Sequence, residues 1–263
     1  MQYSIKDSII ELSDGMHIAV RRVIPVCENN FSPTLVFIHE GLGCIHMWNS
    51  FPEQLVSASG CPGLLYDRAG HGNSDPIREG PDYQYVQRSA LEELPEVLSA
   101  CSVSDPLLIG HSQGGSIALL YASRFPARAI ITESAHIFME VSLADDGVRH
   151  TIESWNAGRL KRFLKKYHGK KAKDVFSLWA NTGRSSWFRD WSIEKDLSNV
   201  TCPALIIQGE NDIFTTTEHA QSIAAGLGGP SNIILVMDCG HVPHLEQRDF
   251  VLKAMCNFIT GSV

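Results

Sequence analysis

PLLIGHSQGGSIALLYASRF, residues 106–125, is the stretch that decides the fold. It begins as a short apolar run of strand type, stops at glycine, and resumes after Gly115 with a helical pattern. Between the two lies Gly110-His111-Ser112-Gln113-Gly114-Gly115, a G-x-S-x-G sequence with a strand before it and a helix behind it. A serine on so sharp a strand-to-helix turn projects its Oγ into the open. The flanking glycines suit a turn where side chains would collide with neighbouring backbone. The helix start behind Ser112 supplies unpaired N–H groups and the positive end of a dipole. A chance loop serine between glycines is the alternative, and both flanks argue against it. Ser112 is the candidate nucleophile.

The same pattern recurs on either side. TLVFIHEG (34–41), GLLYDRAGHG (63–72), RAIITES (128–134), PALIIQGEND (203–212) and NIILVMDCGH (232–241) are short apolar runs ending in Gly, Asp, Ser or His. Runs of this kind without polar alternation belong to strands covered on both faces. Most are followed by helical patterns, so the expected fold class is α/β, a mostly parallel central sheet with helices on both faces. Residues 3–25 read as two further strands around a turn at Asp14-Gly15. Residues 139–195 hold helical patterns and no strand, with Trp155, Phe163, Phe176, Trp179, Trp187, Phe188 and Trp191 among them. We expect a helical cap over 139–195 inserted into a core formed by 1–138 and 196–263.

In open parallel sheets chemistry collects at the carboxyl ends of the strands. A serine hydroxyl needs a base to become a useful nucleophile. Eleven histidines make any single one weak evidence, but His241 stands directly after a strand run. The base needs an acid to set its tautomer, and Asp212 follows the strand run ALIIQ. A lone aspartate there would read as a turn or helix cap. Ser112, Asp212 and His241, at three successive strand ends, read together as a catalytic triad. An oxyanion formed on the substrate needs donors. The N–H groups of Gln113, directly after the nucleophile, and of Gly41, in the loop His39-Glu40-Gly41-Leu42-Gly43, are the candidates; a plain tight turn is the other reading of those glycines.

Composition narrows the partners. The 263 residues carry a formal charge of −7, which argues against nucleic acid. The seven cysteines, Cys27, Cys44, Cys61, Cys101, Cys202, Cys239 and Cys256, are scattered, odd in number and free of C-x-x-C spacing. Reduced thiols in a cytoplasmic protein fit this better than a disulfide framework or a zinc site. The first dozen residues are charged and unlike a secretory signal, and no run is long and apolar enough to span a membrane. No metal or cofactor is expected, since the chain supplies nucleophile, base and donors itself. Against the acidic whole, residues 158–173 carry Arg159, Lys161, Arg162, Lys165, Lys166, Lys170, Lys171 and Lys173 with no acid. A solvated helix face is the plain reading. An anionic partner, such as a carboxylate-bearing, coenzyme A-linked or carrier-bound acyl substrate, is the sharper one.

Four motifs in order resemble the α/β-hydrolase superfamily over essentially the whole chain. They are the His39–Gly43 loop, the D-x-x-G-x-G-x-S turn of Asp67-Arg68-Ala69-Gly70-His71-Gly72-Asn73-Ser74, the serine elbow, and the closing Gly240-His241-Val242-Pro243-His244. Within the superfamily the chain looks most like small capped hydrolases with an HEGLG loop. The resemblance implies a serine hydrolase of a carboxylic ester or related acyl bond, a group that includes carboxylesterases and esterases of carrier-bound acyl chains. It equally implies carbon–carbon hydrolysis of ring-cleavage products by the same residues, and small-molecule receptors also occur on this scaffold. A serine nucleophile, where others carry aspartate, argues against dehalogenases and epoxide hydrolases. The resemblance further implies that the first histidine of the closing motif is catalytic and that His244 is structural. Glu40 departs from the common glycine; a salt bridge to the cap, a contact to a cationic substrate group and plain solvent exposure are the roles open to it.

Overall fold

The computed structural model describes residues 3–26, 33–78, 80 and 82–262, with only the backbone of 141–146 and 262. Cys27 lies outside the described residues. Eight strands form one sheet in the order β1-β2-β4-β3-β5-β6-β7-β8. They are β1 (Tyr3–Glu11), β2 (His17–Pro25), β3 (Thr34–Ile38), β4 (Gly63–Tyr66), β5 (Pro106–His111), β6 (Ala129–Glu133), β7 (Ala204–Gly209) and β8 (Ser231–Val236). Pairing is antiparallel from β1 to β2 and from β2 to β4, and parallel everywhere else. The central strands explain why their sequences do not alternate. Every residue of β4, β5, β6 and β7 is buried, because helices cover both faces. The edge strand β1 is almost wholly exposed and carries Lys6 and Asp7, charges that discourage pairing with another chain.

One face is covered by α1 (Phe51–Ser59) and α10 (Arg248–Ser262), whose Phe51, Leu55, Val251, Met255 and Ile259 pack on Phe37, Ile109 and Ile207. The other face is covered by a helical run that includes α2 (Tyr85–Arg88) and α3 (Leu94–Ala100), by α4 (Gln113–Ala122) and by α9 (Thr217–Gly226). All ten residues of α4 are buried, so the helix behind the elbow is sealed between the sheet and other helices. Each large apolar side chain removed from water on either face contributes about 1.5–3 kcal/mol.

Between β6 and β7 the chain forms α5 (Val141–Asn156), α6 (Arg159–His168), α7 (Ala172–Arg184) and α8 (Ser186–Arg189). These helices hold a small core of their own, Leu164, Ala172, Phe176 and Ala180, and Leu42 of the His39–Gly43 loop packs into it. Phe188, Trp191 and Ile193 belong instead to the main core. Among the described residues, no helix is long and apolar enough to cross a membrane.

Candidate active site

The carboxyl ends of β3, β5, β7 and β8 meet under α5–α8 around a cavity of about 250 Å³. Ser112 follows β5 with φ 52° and ψ −120°, a conformation that non-glycine residues avoid. The reason lies in the turn. A Cβ on Gly110 would lie 2.3 Å from the Gly114 carbonyl oxygen, and one on Gly114 would lie 2.0 Å from that of Ile38. The elbow is therefore too tight for side chains on either side, and the bend falls on the serine. The Ser112 N–H donates to the Glu133 carbonyl at 2.8 Å, which anchors the turn to β6.

His241 lies beyond β8 and opens on the same cavity as Ser112. Its Nδ1 is 2.8 Å and 3.0 Å from the two carboxylate oxygens of Asp212. Asp212 has a fully buried side chain. Its Oδ1 accepts from the N–H groups of Phe214 and Thr215, and its Oδ2 from Thr215 Oγ1 and Gln208 Nε2. Burial alone would raise its pKa; the bond to His241, the charge of His241 and these donors outweigh it and hold the carboxyl well below the usual aspartate range. Gln208 and Thr215, which hold the Asp212 carboxylate, are residues of this candidate site that sequence reading missed. A signal existed for each: Gln208 is a lone polar residue in an apolar strand run, and Thr215 sits three residues beyond the aspartate in turn-forming spacing.

Gly41 and Gln113 both border the cavity. Among the described residues, no protein acceptor takes the N–H of either. A Cβ on Gly41 would lie 2.7 Å from Cδ1 of Trp179, so the loop passes directly beneath α7. Phe163 and Trp179 line the cavity, whereas Trp155 stacks on Phe176 with ring centroids 4.0 Å apart. Cys44 and Cys239 are fully buried, and burial pushes each thiol up to about 12, which leaves them unreactive.

Glu40 borders the cavity with its side chain 22% exposed, and among the described residues it makes no salt bridge to the helices between β6 and β7. Its carboxylate stands 3.8 Å from His111 Nδ1, where a Cβ on Gly43 would lie. His111 Nε2–H donates to the His241 carbonyl at 2.7 Å, so the Glu40–His111 pair supports the loop that carries His241. His244 Nδ1 bonds the buried Glu133 carboxylate at 2.8 Å, away from Asp212. Burial opposes charge on Glu40, but the imidazole of His111 beside it wins and brings its pKa to about 2. Burial likewise opposes charge on His111, and Glu40 more than offsets it, so the imidazole pKa is raised. The carboxylate contributes stability above its usual 4.5 and loses it as pH falls toward 2. The imidazole contributes below its usual 6.5 and loses it as pH rises through the raised value. Glu40→Gln should therefore cost about 1–2 kcal/mol, between an exposed and a buried ion pair, with the deficit greatest near pH 5.5. Urea midpoints of the two proteins from pH 3 to 9 check this, and a deficit independent of pH would rule the ionic pair out.

The basic residues divide. Arg159, Lys161, Arg162, Lys165 and Lys166 are exposed on α6. Lys171 instead donates to the carbonyls of His71 and Ser74. Beside it, His168 accepts from the Gly72 N–H at 2.9 Å and donates from Nε2 to the Leu42 carbonyl at 2.9 Å. These two side chains tie the helices between β6 and β7 to the Asp67–Ser74 turn and to the His39–Gly43 loop, a link invisible in sequence order.

Comparison with known proteins agrees with this architecture. Proline iminopeptidase of Saccharolobus solfataricus is 25% identical over 268 residues, covering 86% of this chain and 84% of that protein. 3-Oxoadipate enol-lactonase 1 of Acinetobacter baylyi is 25% identical over 253 residues, covering 87% and 89%. The crystal structure of proline iminopeptidase from Mycobacterium smegmatis superposes with a TM-score of 0.76 at 19% identity, covering 98% of both chains, a likeness of fold. With the sequence profile of the alpha/beta hydrolase family matching residues 35–254, the chain belongs to that family.

Proposed function

We propose that this protein is a serine hydrolase that cleaves a carboxylic ester or related acyl bond through an acyl-enzyme. The observation that carries the reading is the pairing of a strained, positive-φ Ser112 with His241 on one cavity, His241 being bonded through Nδ1 to the buried Asp212. Asp212 holds the Nδ1–H tautomer, which leaves Nε2 free to take the Ser112 hydroxyl proton. Ser112 Oγ attacks the substrate carbonyl, and the N–H groups of Gly41 and Gln113 stabilise the oxyanion. His241 then protonates the departing alcohol, and a water deprotonated by the same ring releases the acid from the serine. Residues 139–195 act as a cap that roofs the cavity and keeps the site dry. The similar enol-lactonase has a name that denotes acyl–oxygen cleavage, which favours an ester over a carbon–carbon bond.

The cavity of about 250 Å³ suits a small substrate. With p-nitrophenyl esters from acetate to dodecanoate, kcat/KM should peak at short to medium acyl groups and fall by about 10-fold or more by dodecanoate, as each buried methylene that no longer fits forfeits its transfer energy. Mass spectrometry of the rapidly quenched enzyme should find the acyl group on the Ser112 peptide. Absence of turnover and of acylation with every ester, alongside cleavage of a vinylogous diketone, would overturn the ester assignment.

A further inference from the structure

Arg68 is 1% exposed, and the chemistry above makes no use of it. It follows β4 in the turn that starts at Asp67, and its two terminal nitrogens reach in two directions. Nη2 donates to the Glu40 carbonyl at 2.9 Å. Nη1 donates to Gln113 Oε1 at 2.8 Å. The Arg68 N–H also donates to His39 Nε2 at 3.0 Å, which leaves His39 Nδ1–H to donate to the same Glu40 carbonyl at 2.8 Å.

The Glu40 carbonyl and the Gly41 N–H are the two ends of one peptide plane. In a trans peptide they point in opposite directions. The Gly43 N–H closes a turn onto the same oxygen at 3.0 Å, and the guanidinium and imidazole added to it aim the Gly41 N–H and polarise it as a donor. The other donor belongs to Gln113, whose side chain is held by the second guanidinium nitrogen. One buried cation thus spans both halves of the proposed oxyanion hole.

We propose that Arg68 is the positioning residue of the oxyanion hole, orienting the Glu40–Gly41 peptide and Gln113 together and lending the site a positive field. The inference rests on the reading of Ser112 as nucleophile with Gly41 and Gln113 as donors. Burying a guanidinium is costly, and apolar side chains of similar volume often hold a core as well, so packing alone is a weak reason for it. The ionised Glu40 carboxylate beside it is set against His111. Burial and then the Arg68 charge hold His39 well below its usual value and bring His71 to about 3, so both rings are neutral. Burial pushes Glu93, whose Oε2 accepts from the Ala69 N–H, up to about 7 against the pull of Arg68, so its opposing charge is incomplete at neutral pH.

The test compares wild type, Arg68→Met, Arg68→Lys and Gln113→Met. A fluorophosphonate, whose phosphorus bonds Ser112 Oγ as fluoride leaves, titrates the active fraction of each. Turnover is measured with p-nitrophenyl acetate, and binding with an aliphatic trifluoromethyl ketone, whose carbonyl becomes an oxyanion when Ser112 adds to it. Arg68→Met should lower kcat per active site by about 10²-fold, the lower end of the loss from deleting an oxyanion donor. Arg68→Lys, lacking the fork that reaches both partners, should lose about 10-fold. Gln113→Met cuts one arm and should lose about 3-fold to 10-fold, and it decides the matter with Arg68→Lys if Arg68→Met does not fold. KM should stay within about 3-fold, and the inhibitor constant for the ketone should weaken in proportion to the fall in kcat/KM. Folded variants with kcat within about 2-fold of wild type, or with lowered kcat and unchanged ketone affinity, overturn the proposal. A wild type that neither turns over ester nor labels at Ser112 overturns the underlying reading and this inference with it, and that failure shows before any substitution is made.

Discussion

Ser112→Ala is expected to lower kcat for p-nitrophenyl acetate by about 10⁴–10⁶-fold while leaving the protein folded. The size of the effect follows from what the hydroxyl does. Without Oγ no acyl-enzyme forms, and hydrolysis falls back on whatever the oxyanion donors and binding alone can do for direct attack by water. The fold should tolerate the change. Ser112 takes its strained φ of 52° because Gly110 and Gly114 leave no other path for the backbone, and alanine must take the same path. The strain is neither relieved nor increased, so the melting temperature should move by no more than about 2 °C. The backbone bond from residue 112 to Glu133 also survives, since it uses the N–H. Steady-state hydrolysis and thermal unfolding on the same preparations check both halves. Retention of a tenth of the wild-type rate in the folded variant would remove Ser112 from the mechanism.

Asp212→Asn should be nearly as damaging, with a kcat loss of about 10⁴-fold and little change in KM. Asparagine keeps the size of the side chain and changes its donor pattern. The amide nitrogen can face His241 Nδ1, which then gives up its proton to become an acceptor and leaves the proton on Nε2. In that tautomer the ring cannot take the serine proton. The same substitution should destabilise the fold, because the carboxylate accepts from Phe214, Thr215, Gln208 and His241 with no exposure to water. Its pKa in the folded protein is depressed below the usual 3.8, so its contribution is full above about pH 4 and fades as the pH falls further. The stability gap between wild type and Asp212→Asn should be widest at neutral pH and narrow on acidification. Urea midpoints at pH 7 and pH 3 measure it, and kcat at pH 7 measures the catalytic half. A variant with near-normal kcat would mean that another carboxylate orients His241, and Glu133 is excluded from that role because it bonds His244.

How much of this site is legible in the sequence depends on how local each residue's constraint is. Ser112 is legible because its constraint is local: a strand, two glycines and a helix within about twenty residues force the elbow. His241 and Asp212 are legible because parallel strands deliver their carboxyl ends to one edge, so position after an apolar run stands in for position in space. The central strands follow from the same logic, since burial on both faces leaves an apolar run, whereas β1 and β8 at the sheet edges are largely exposed. Glu40 is not legible in this way. It lies in the His39–Gly43 loop, but its partner is His111, 71 positions away, and only the parallel pairing of β3 with β5 brings their ends together. His168 and Lys171 look like part of a basic helical stretch, yet the tertiary structure turns them inward onto the Asp67–Ser74 turn while their neighbours stay in solvent.

The sequence by itself thus determined the strands and helices, the mostly parallel character of the sheet and the placing of Ser112, Asp212 and His241 after strands, because hydrophobic periodicity and turn chemistry act over short stretches of chain. Only the tertiary structure decided what surrounds those residues: Gln208 and Thr215 around Asp212, His111 behind His241, Arg68 between the Glu40 carbonyl and Gln113. His111 and Arg68 bond partners far away along the chain, main-chain carbonyls among them, which the packing of the sheet and its helices selects, whereas Gln208 and Thr215 lie within four residues of Asp212 and leave only a faint local trace.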